Sequence, residues 1–387
     1  MSADNTHSSK EDKLQFPISV PNYRFDQRNE MFKRRTWDKE IIPHAKRFYN
    51  EVEYRDRYGY RKLDYALRTA AWNIEYGFGF GTMRSNYGLY SWTEIAAKVR
   101  PFVETGGPVV HAPEVNSRIV KKAAQFLGAD GVGICRVHPN LVYSHEYNLM
   151  TMEHTPLELP EGCQNAIVMA VAMDYDSARH SPDAISGAST GLGYSRQAVL
   201  ANQVAAFIRV LGYRAVPSGN DTALSVPLAL AAGLGEVGRM GLLITEKFGP
   251  LVRICKVFTD LPLAYDTYRP FGVTKFCETC KKCAIHCPSQ AIPYGGKTIE
   301  GPSFSNHSGI FKWYIHPKKC FIFWAKNRMD CNNCIKVCPF NKPRGIIHDM
   351  ARFVIKNLSP FNRVLVLLDD LFGYGKPLRS KDFWEKR

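Results

Sequence analysis

Cys277-Glu278-Thr279-Cys280-Lys281-Lys282-Cys283-Ala284-Ile285-His286-Cys287-Pro288 decides the class of this chain. Cysteines in the spacing C-x-x-C-x-x-C-x-x-x-C, closed by proline, make the run by which bacterial ferredoxin-type modules hold iron–sulfur clusters. A second set follows: Cys320, then after ten residues Cys331, Cys334, Cys338 and Pro339. Three closely spaced cysteines wrap one corner of a four-iron cubane, and the fourth leads away to ligate the other cluster. On that logic Cys277, Cys280, Cys283 and Cys338 hold one 4Fe–4S cluster, and Cys287, Cys320, Cys331 and Cys334 hold the second. Paired C-x-x-C also builds zinc sites, but eight cysteines ending twice in Cys-Pro lack the ligand spacing of a zinc ribbon.

Outside this module only Cys135, Cys163 and Cys255 remain of the eleven cysteines, and their apolar surroundings read as core rather than disulfide partners. The formal net charge of +15 invites a nucleic-acid partner. Its placement supplies another reason. From Asp266 to Gly345 there are 13 Lys and Arg against four Asp and Glu. A cubane with four thiolates carries about −2, so this excess offsets cluster charge and offers a docking face to an acidic electron donor. No nucleic-acid partner is expected.

Hydrophobic content of 45% and charged content of 22% are those of a globular protein. No apolar run approaches the roughly 18 residues needed to cross a bilayer. The opening MSADNTHSSKEDK lacks the apolar core of a signal peptide, and Arg34-Arg35 precedes the charged TWDKE, unlike a twin-arginine leader.

Organisation follows from composition and periodicity. Residues 1–15 read as a disordered leader and 16–109 as an aromatic and basic region with helices at Lys62–Trp72 and Trp92–Val99. GFGFG at Gly77–Gly81 reads as a loop. Residues 110–265 alternate helix and strand in an α+β core. There Ser117–Leu127 is amphipathic and stops at Gly128, while GVGICRV and NAIVMAVAM fit buried strands. Tyr194–Leu211 is a long helix ended by Gly212, Val226–Leu234 is a core helix, and RAVPSG, GLLITEK and VRICKVFTDLPL are strand-like. Residues 266–345 form the ferredoxin-like module. In 346–387 an apolar helix, Val364–Leu371, is expected to pack back onto the core.

A two-cluster module needs only about 60–80 residues, so the upstream chain has a task of its own. LGYSRQAVLANQVAAFIRVLGYRAVPSGNDT from Leu192 and LALAAGLGEVGRMGLLITEKFGPLVRICKVFTDLPL from Leu228 resemble the corrinoid-dependent reductive dehalogenases. The resemblance runs from Gly128 to Pro343, including the KWY…KKC stretch before Cys320, and reappears in the FGYG…DFW ending. It implies a nitroreductase-like core at 110–265 that binds base-off cobalamin without covalent attachment, against the iron–sulfur module. It also implies replacement of a carbon–halogen bond by carbon–hydrogen in a small organohalide.

Matched motif to motif, the resemblance places the proton donor on Tyr194, its partner cation on Arg253, a polar anchor on Asn220, and pocket-lining positions on Thr190 and Trp324. The set is chemically coherent. Reductive halide removal needs a proton for carbon and a site for the leaving anion, and a cation beside a phenol favours its phenolate. Taken alone, each has a plainer reading: Tyr194 as core, Asn220 in a turn, Arg253 in a surface ion pair, Trp324 as cluster shielding. For the corrinoid, D-x-H-x-x-G is absent. Gly301, Ser303, Asn306, His307 and Gly309, together with the Gly233–Gly241 region, are where backbone is expected to approach the macrocycle. The implied partners are a low-potential donor protein or quinol chain, a small membrane-anchor protein and a second copy in a homodimer. Read literally the chain is cytoplasmic; with a twin-arginine leader already removed it belongs on the outer face of the cytoplasmic membrane. Two alternatives compete. One is an epoxyqueuosine reductase-like enzyme acting on tRNA, whose W-x-G-K-N-T segment is missing here. The other is an electron-transfer subunit without corrinoid.

Overall fold

Helices and strands interleave through the chain, and the computed structural model describes residues 19–79, 88–93 and 107–385. The expected leader and most of the Trp92–Val99 helix lie outside the described residues. In chain order the α-helices longer than four residues are α1 (Ile42–Tyr49), α2 (Lys62–Ile74), α3 (Pro113–Phe126), α4 (Ala184–Val210), α5 (Ser225–Ala231), α6 (Val273–Thr279), α7 (Pro317–Asn327), α8 (Ile346–Asn357), α9 (Asn362–Leu371) and α10 (Ser380–Glu385). The strands are β1 (Gly131–Arg136), β2 (His145–Tyr147), β3 (His154–Pro156), β4 (Asn165–Ala172), β5 (Ala215–Ser218), β6 (Glu236–Val237), β7 (Leu243–Ile244) and β8 (Val252–Thr259).

The core is an antiparallel sheet in the order β1-β4-β8-β5. NAIVMAVA forms its second strand because both faces are covered, which demands apolar residues at every position rather than at alternate ones. Ala166, Val168 and Ala170 pack with Leu228 of α5 on one face. Ile167, Met169 and Val171 pack with Ala198 and Ala201 of α4 on the other. Cys135, Cys163 and Cys255 are all buried.

Two boundaries differ from expectation. The long helix begins at Ala184, ten residues before Tyr194, with Asp183 as its cap, accepting from the backbone of Ile185 at 3.0 Å and Ser186 at 3.2 Å. AISGASTGLG, from Ala184 to Gly193, is a poor helix former by propensity, but its small residues let α2 lie against α4. A Cβ at Gly191 would stand 2.3 Å from Trp72 Cδ1, and one at Gly187 would stand 2.8 Å from Asp330 Oδ1. Tertiary packing overrides the intrinsic preference, so Tyr194 sits within the helix rather than at its start. The second difference is Glu75–Gly79, which continues α2 as a π-helical turn instead of the expected loop.

In the module, Phe276, Ile292, Trp313 and Phe340 pack around the cysteines. The tail joins this module first: Leu365 and Val366 of α9 pack on its core. The chain then returns to the core: Leu378 N donates to Arg179 O at 3.2 Å, Ser380 Oγ donates to Asp183, and the Trp384 indole donates to Asp64 Oδ1 of α2 at 2.7 Å. Arg34 is buried in a 3-10 turn, bonded to Asp38 and Ser305. Among the described residues no helix is long and apolar enough to cross a membrane.

Candidate functional site

Strand register builds the site. Ser218 at the end of β5 pairs with Lys256 of β8, which throws the turn Gly219-Asn220-Asp221 over the adjoining face of α4. Asn220 Nδ2 donates to the Tyr194 hydroxyl at 2.9 Å. Arg253, three residues before Lys256 on β8, holds its guanidinium 5.0 Å from the Tyr194 ring centroid. Its Nη2 donates to Thr190 Oγ1 at 3.2 Å. Gly193 makes room for it, since a Cβ there would come within 2.8 Å of Arg253 Cγ. Trp72 stacks on the same tyrosine ring at 5.0 Å and 20°.

Tyr194, Asn220, Arg253 and Thr190 are therefore brought together. Trp324 is not in direct contact with them among the described residues. It packs with Phe32 and Phe48, ring centroids 5.7 and 5.9 Å away, and Phe48 reaches the group through Arg68, which lies 5.9 Å from both the Phe48 and Trp72 rings.

The turn carrying Asn220 is tied down from below. The Tyr143 hydroxyl donates to Asn220 O at 3.4 Å, and Lys256 Nζ donates to Gly219 O and, at 3.0 Å, to Ser225 Oγ. Gln27 Nε2 donates to Asp221 Oδ1 at 2.7 Å, with Lys33 Nζ 3.5 Å from the same oxygen. Burial dominates the electrostatics here. It pulls Lys256 down to about 7, with Asp221 opposing, and pushes Glu30 up to about 7 and Glu75 up to about 8. Lys256, Glu30 and Glu75 each interact electrostatically with Asp221, the residue after Asn220.

Two residues that sequence reasoning missed join the site to the module. Trp72 gave no signal beyond being an aromatic on an amphipathic helix. Asn332, next to Cys331, is buried and spends its side-chain amide on Ser186 O, Ser186 Oγ and Thr190 Oγ1 at 3.2, 2.9 and 2.8 Å. Its place inside the cysteine motif was the available hint.

The eight module cysteines gather in two sets. Burial pushes the Cys338 thiol well up, and after burial come the neighbouring Cys277, Cys283 and Cys280. Burial likewise raises Cys320, followed by Cys334, Cys331 and Cys287. Cys334 is pushed up to about 12 by burial, then by Cys331 and Cys287. Between the sets, Cys334 adds to the rise that burial and Cys277 impose on Cys283. Tetrahedral zinc would draw four sulfurs to within about 4 Å of one another. The spacing is wider: among the described residues the only three His, Cys, Asp or Glu ligand atoms all within 4.8 Å of one another belong to Asp26, His145 and His154. Arg239 supports the first set, donating to Cys277 O at 3.1 and 2.9 Å.

The glycine-rich loop has its own internal logic. Gly301 N donates to Ser308 Oγ at 2.9 Å, Ser303 N to Asn306 Oδ1 at 3.2 Å, and Asn306 Nδ2 to Ile315 O at 3.1 Å. A Cβ at Gly301 would lie 2.3 Å from that of Asn306, so loop packing already accounts for the glycine. Gly309 has φ +101° and donates to Ile299 O. His307 bonds Tyr23 O through Nε2 at 2.9 Å. In the Gly233–Gly241 stretch, a Cβ at Gly235 would stand 2.1 Å from Ile244 O, a contact within the β6–β7 hairpin.

Residues 276–342 match a 4Fe-4S dicluster domain. The tetrachloroethene reductive dehalogenase of Sulfurospirillum multivorans is 35% identical over 354 residues, covering 83% of this chain and 70% of that protein. The chain belongs to the reductive dehalogenases. A tetrachloroethene reductive dehalogenase of Desulfitobacterium hafniense strain Y51 is 36% identical over 403 residues, covering 84% of this chain and 73% of its own length. Among solved structures, a catabolic reductive dehalogenase, NpRdhA, superposes with a TM-score of 0.73 at 25% identity over 93% of this chain. The chain spans about half of that protein, 48%. The rival family is a weaker match. An epoxyqueuosine reductase of Atelocyanobacterium thalassa is 34% identical over 116 residues, which is 29% of this chain.

Proposed function

We propose that this chain removes halide reductively from a small organohalide, with electrons passing through two 4Fe–4S clusters to a cobalamin and Tyr194 as proton donor. The observation that carries the proposal is the Tyr194 hydroxyl held by Asn220 at 2.9 Å under the Arg253 guanidinium. The balance is R–X + 2 e⁻ + H⁺ → R–H + X⁻. The Tyr194 O–H bond breaks, the proton goes to carbon, and the halogen leaves with the electron pair of its old bond.

The residues present fit both kinds of group. Two sets of four thiols, the first buried and the second half-buried, suit two cubanes, whose iron offsets the cost of ionising sulfur in an apolar setting. Buried polar atoms without a partner call for a polar occupant, and Arg253 Nε, Trp324 Nε1, His307 Nδ1, His316 Nδ1 and Asn333 Oδ1 are such atoms. Of the loop residues expected to meet a corrinoid, His307 therefore keeps a free ring nitrogen, while Gly301 and Ser303 are satisfied within the loop and Asn306 by the loop and Ile315 O. A corrinoid supplies the low-potential metal chemistry that breaks the carbon–halogen bond. The chain's own residues handle the proton and the anion. Asn220 fixes the direction of the phenol, Trp72 keeps water off its ring, and Arg253 stabilises the negative charge left behind. Thr190 and Asn332 hold Arg253 in place and link it to the cluster loop. Low-potential electrons enter over the basic surface of the module.

The test is anaerobic reconstitution with cobalamin followed by halide release over several organohalide classes. Tyr194→Phe should retain iron and corrinoid yet lose about 10²–10⁴ in rate. Near-normal turnover by that variant would place the proton donor elsewhere.

A further inference from the structure

Between Ile346 and Phe372, eleven large hydrophobic residues are exposed, on α8, α9 and the turn joining them. Helix α8 presents Ile346, Met350 and Phe353, 63–83% exposed and one turn apart; α9 presents Val364, Leu367 and Leu371, 48–79% exposed. The opposite sides of the same helices anchor them, through buried Ile355 and through Leu365 and Val366 on the module core. The outward stripes are thus a second apolar face, far larger than scattered surface hydrophobics explain.

Charge around this face is one-signed. Every acid in the segment is already neutralised: Asp349 by Arg344 and Arg352 at 3.0 and 2.8 Å, Asp370 by Lys282 at 2.6 Å, and Asp369 by Lys282 and by Lys342 at 3.6 Å. Lys356, Arg363 and Lys376 are exposed and make no ion pair among the described residues. We propose that the α8–α9 face docks on an anionic phospholipid bilayer, its hydrocarbon side chains entering the headgroup boundary and these three cations meeting lipid phosphates. A second copy of the chain fits less well, because like-charged rims would meet. A protein partner is the other outcome that the experiment distinguishes. The inference rests on the fold and on surface chemistry, so it stands or falls independently of the dehalogenase reaction.

The experiment is flotation of the anaerobically reconstituted full chain with vesicles of phosphatidylcholine alone or mixed with phosphatidylglycerol. The chain should float with the anionic vesicles, and less so at high salt. Each cation contributes about fivefold to partitioning, so the triple change Lys356→Gln, Arg363→Gln, Lys376→Gln should weaken anionic binding about a hundredfold. Phe353→Glu with Leu371→Glu should abolish flotation while iron content and secondary structure stay normal. A chain that stays at the bottom of the gradient with anionic vesicles overturns the proposal. If light scattering then shows a dimer that Leu371→Glu dissociates, the face belongs to a second copy; a monomer leaves it to a protein partner. Undiminished flotation of either variant overturns it as well.

Discussion

Replacing Gly191 by alanine isolates the contact between α2 and α4 on which the position of Tyr194 depends. The new Cβ would meet Trp72 Cδ1, Cγ and Nε1 at 2.3, 2.5 and 2.6 Å. An ordinary contact needs about 3.4 Å or more, so the indole must retreat by about 1 Å. It is poorly placed to do so. Its N–H donates to Gly187 O at 3.2 Å, and its ring stacks on both Tyr76 (4.8 Å, 11°) and Tyr194 (5.0 Å, 20°). Overpacking of this kind costs about 1–3 kcal/mol, against which alanine gains about 1 kcal/mol of helix propensity over glycine. The net destabilisation is about 0–2 kcal/mol, a fall of only a few degrees in Tm. Activity should suffer far more. Tyr194 must follow the indole or lose its stack, and a misplacement of about 1 Å in a reacting group costs about 10² in rate. The assay is differential scanning calorimetry beside halide release, with iron and corrinoid quantified in both proteins. A Gly191→Ala variant with unchanged Tm and full turnover would refute the argument that this glycine exists to seat Trp72.

Cys287→Ala should remove the cluster of Cys320, Cys331 and Cys334, although Cys287 belongs to the first motif. Iron should fall from about eight to about four per chain, leaving the paramagnetic signal that Cys280→Ala abolishes; loss of one and the same signal in both variants would contradict the crossed assignment. Glu75 concerns pH. Its carboxyl is raised by burial to about 8 from 4.5, so the protonated native form confers stability that is complete below the unfolded value and is lost as pH rises through about 8. Glu75→Gln cannot titrate, and the parent should lose stability relative to it by about 1.4 kcal/mol per pH unit between about pH 5 and 8. A Tm difference that stays constant over that window would show that Glu75 is not buried as described.

Local spacing is legible without a structure because covalent geometry limits what it can build. Three cysteines at intervals of three can wrap one corner of a cubane, and two such runs each ending in Cys-Pro leave little room for a zinc ribbon, which is why the module and its eight candidate ligands followed from the chain alone. The uninterrupted apolar run of β4 told of a strand covered on both faces, and it is one. Where side chains from distant elements meet, the chain is silent. Tyr194 on α4, Asn220 after β5 and Arg253 on β8 could be grouped only through likeness to a family; the pairing of Ser218 with Lys256 is what sets the Asn220 turn over Tyr194. The start of α4 was missed because Ser, Gly and Thr weaken a helix in isolation, whereas here they are the residues small enough to admit Trp72 and the Arg68–Asp330 pair. Nothing local marks Trp72, and Asn332 has only its place inside the cysteine motif. Each earns its place from neighbours more than a hundred residues away, a relation fixed by close packing between elements and therefore visible only in three dimensions.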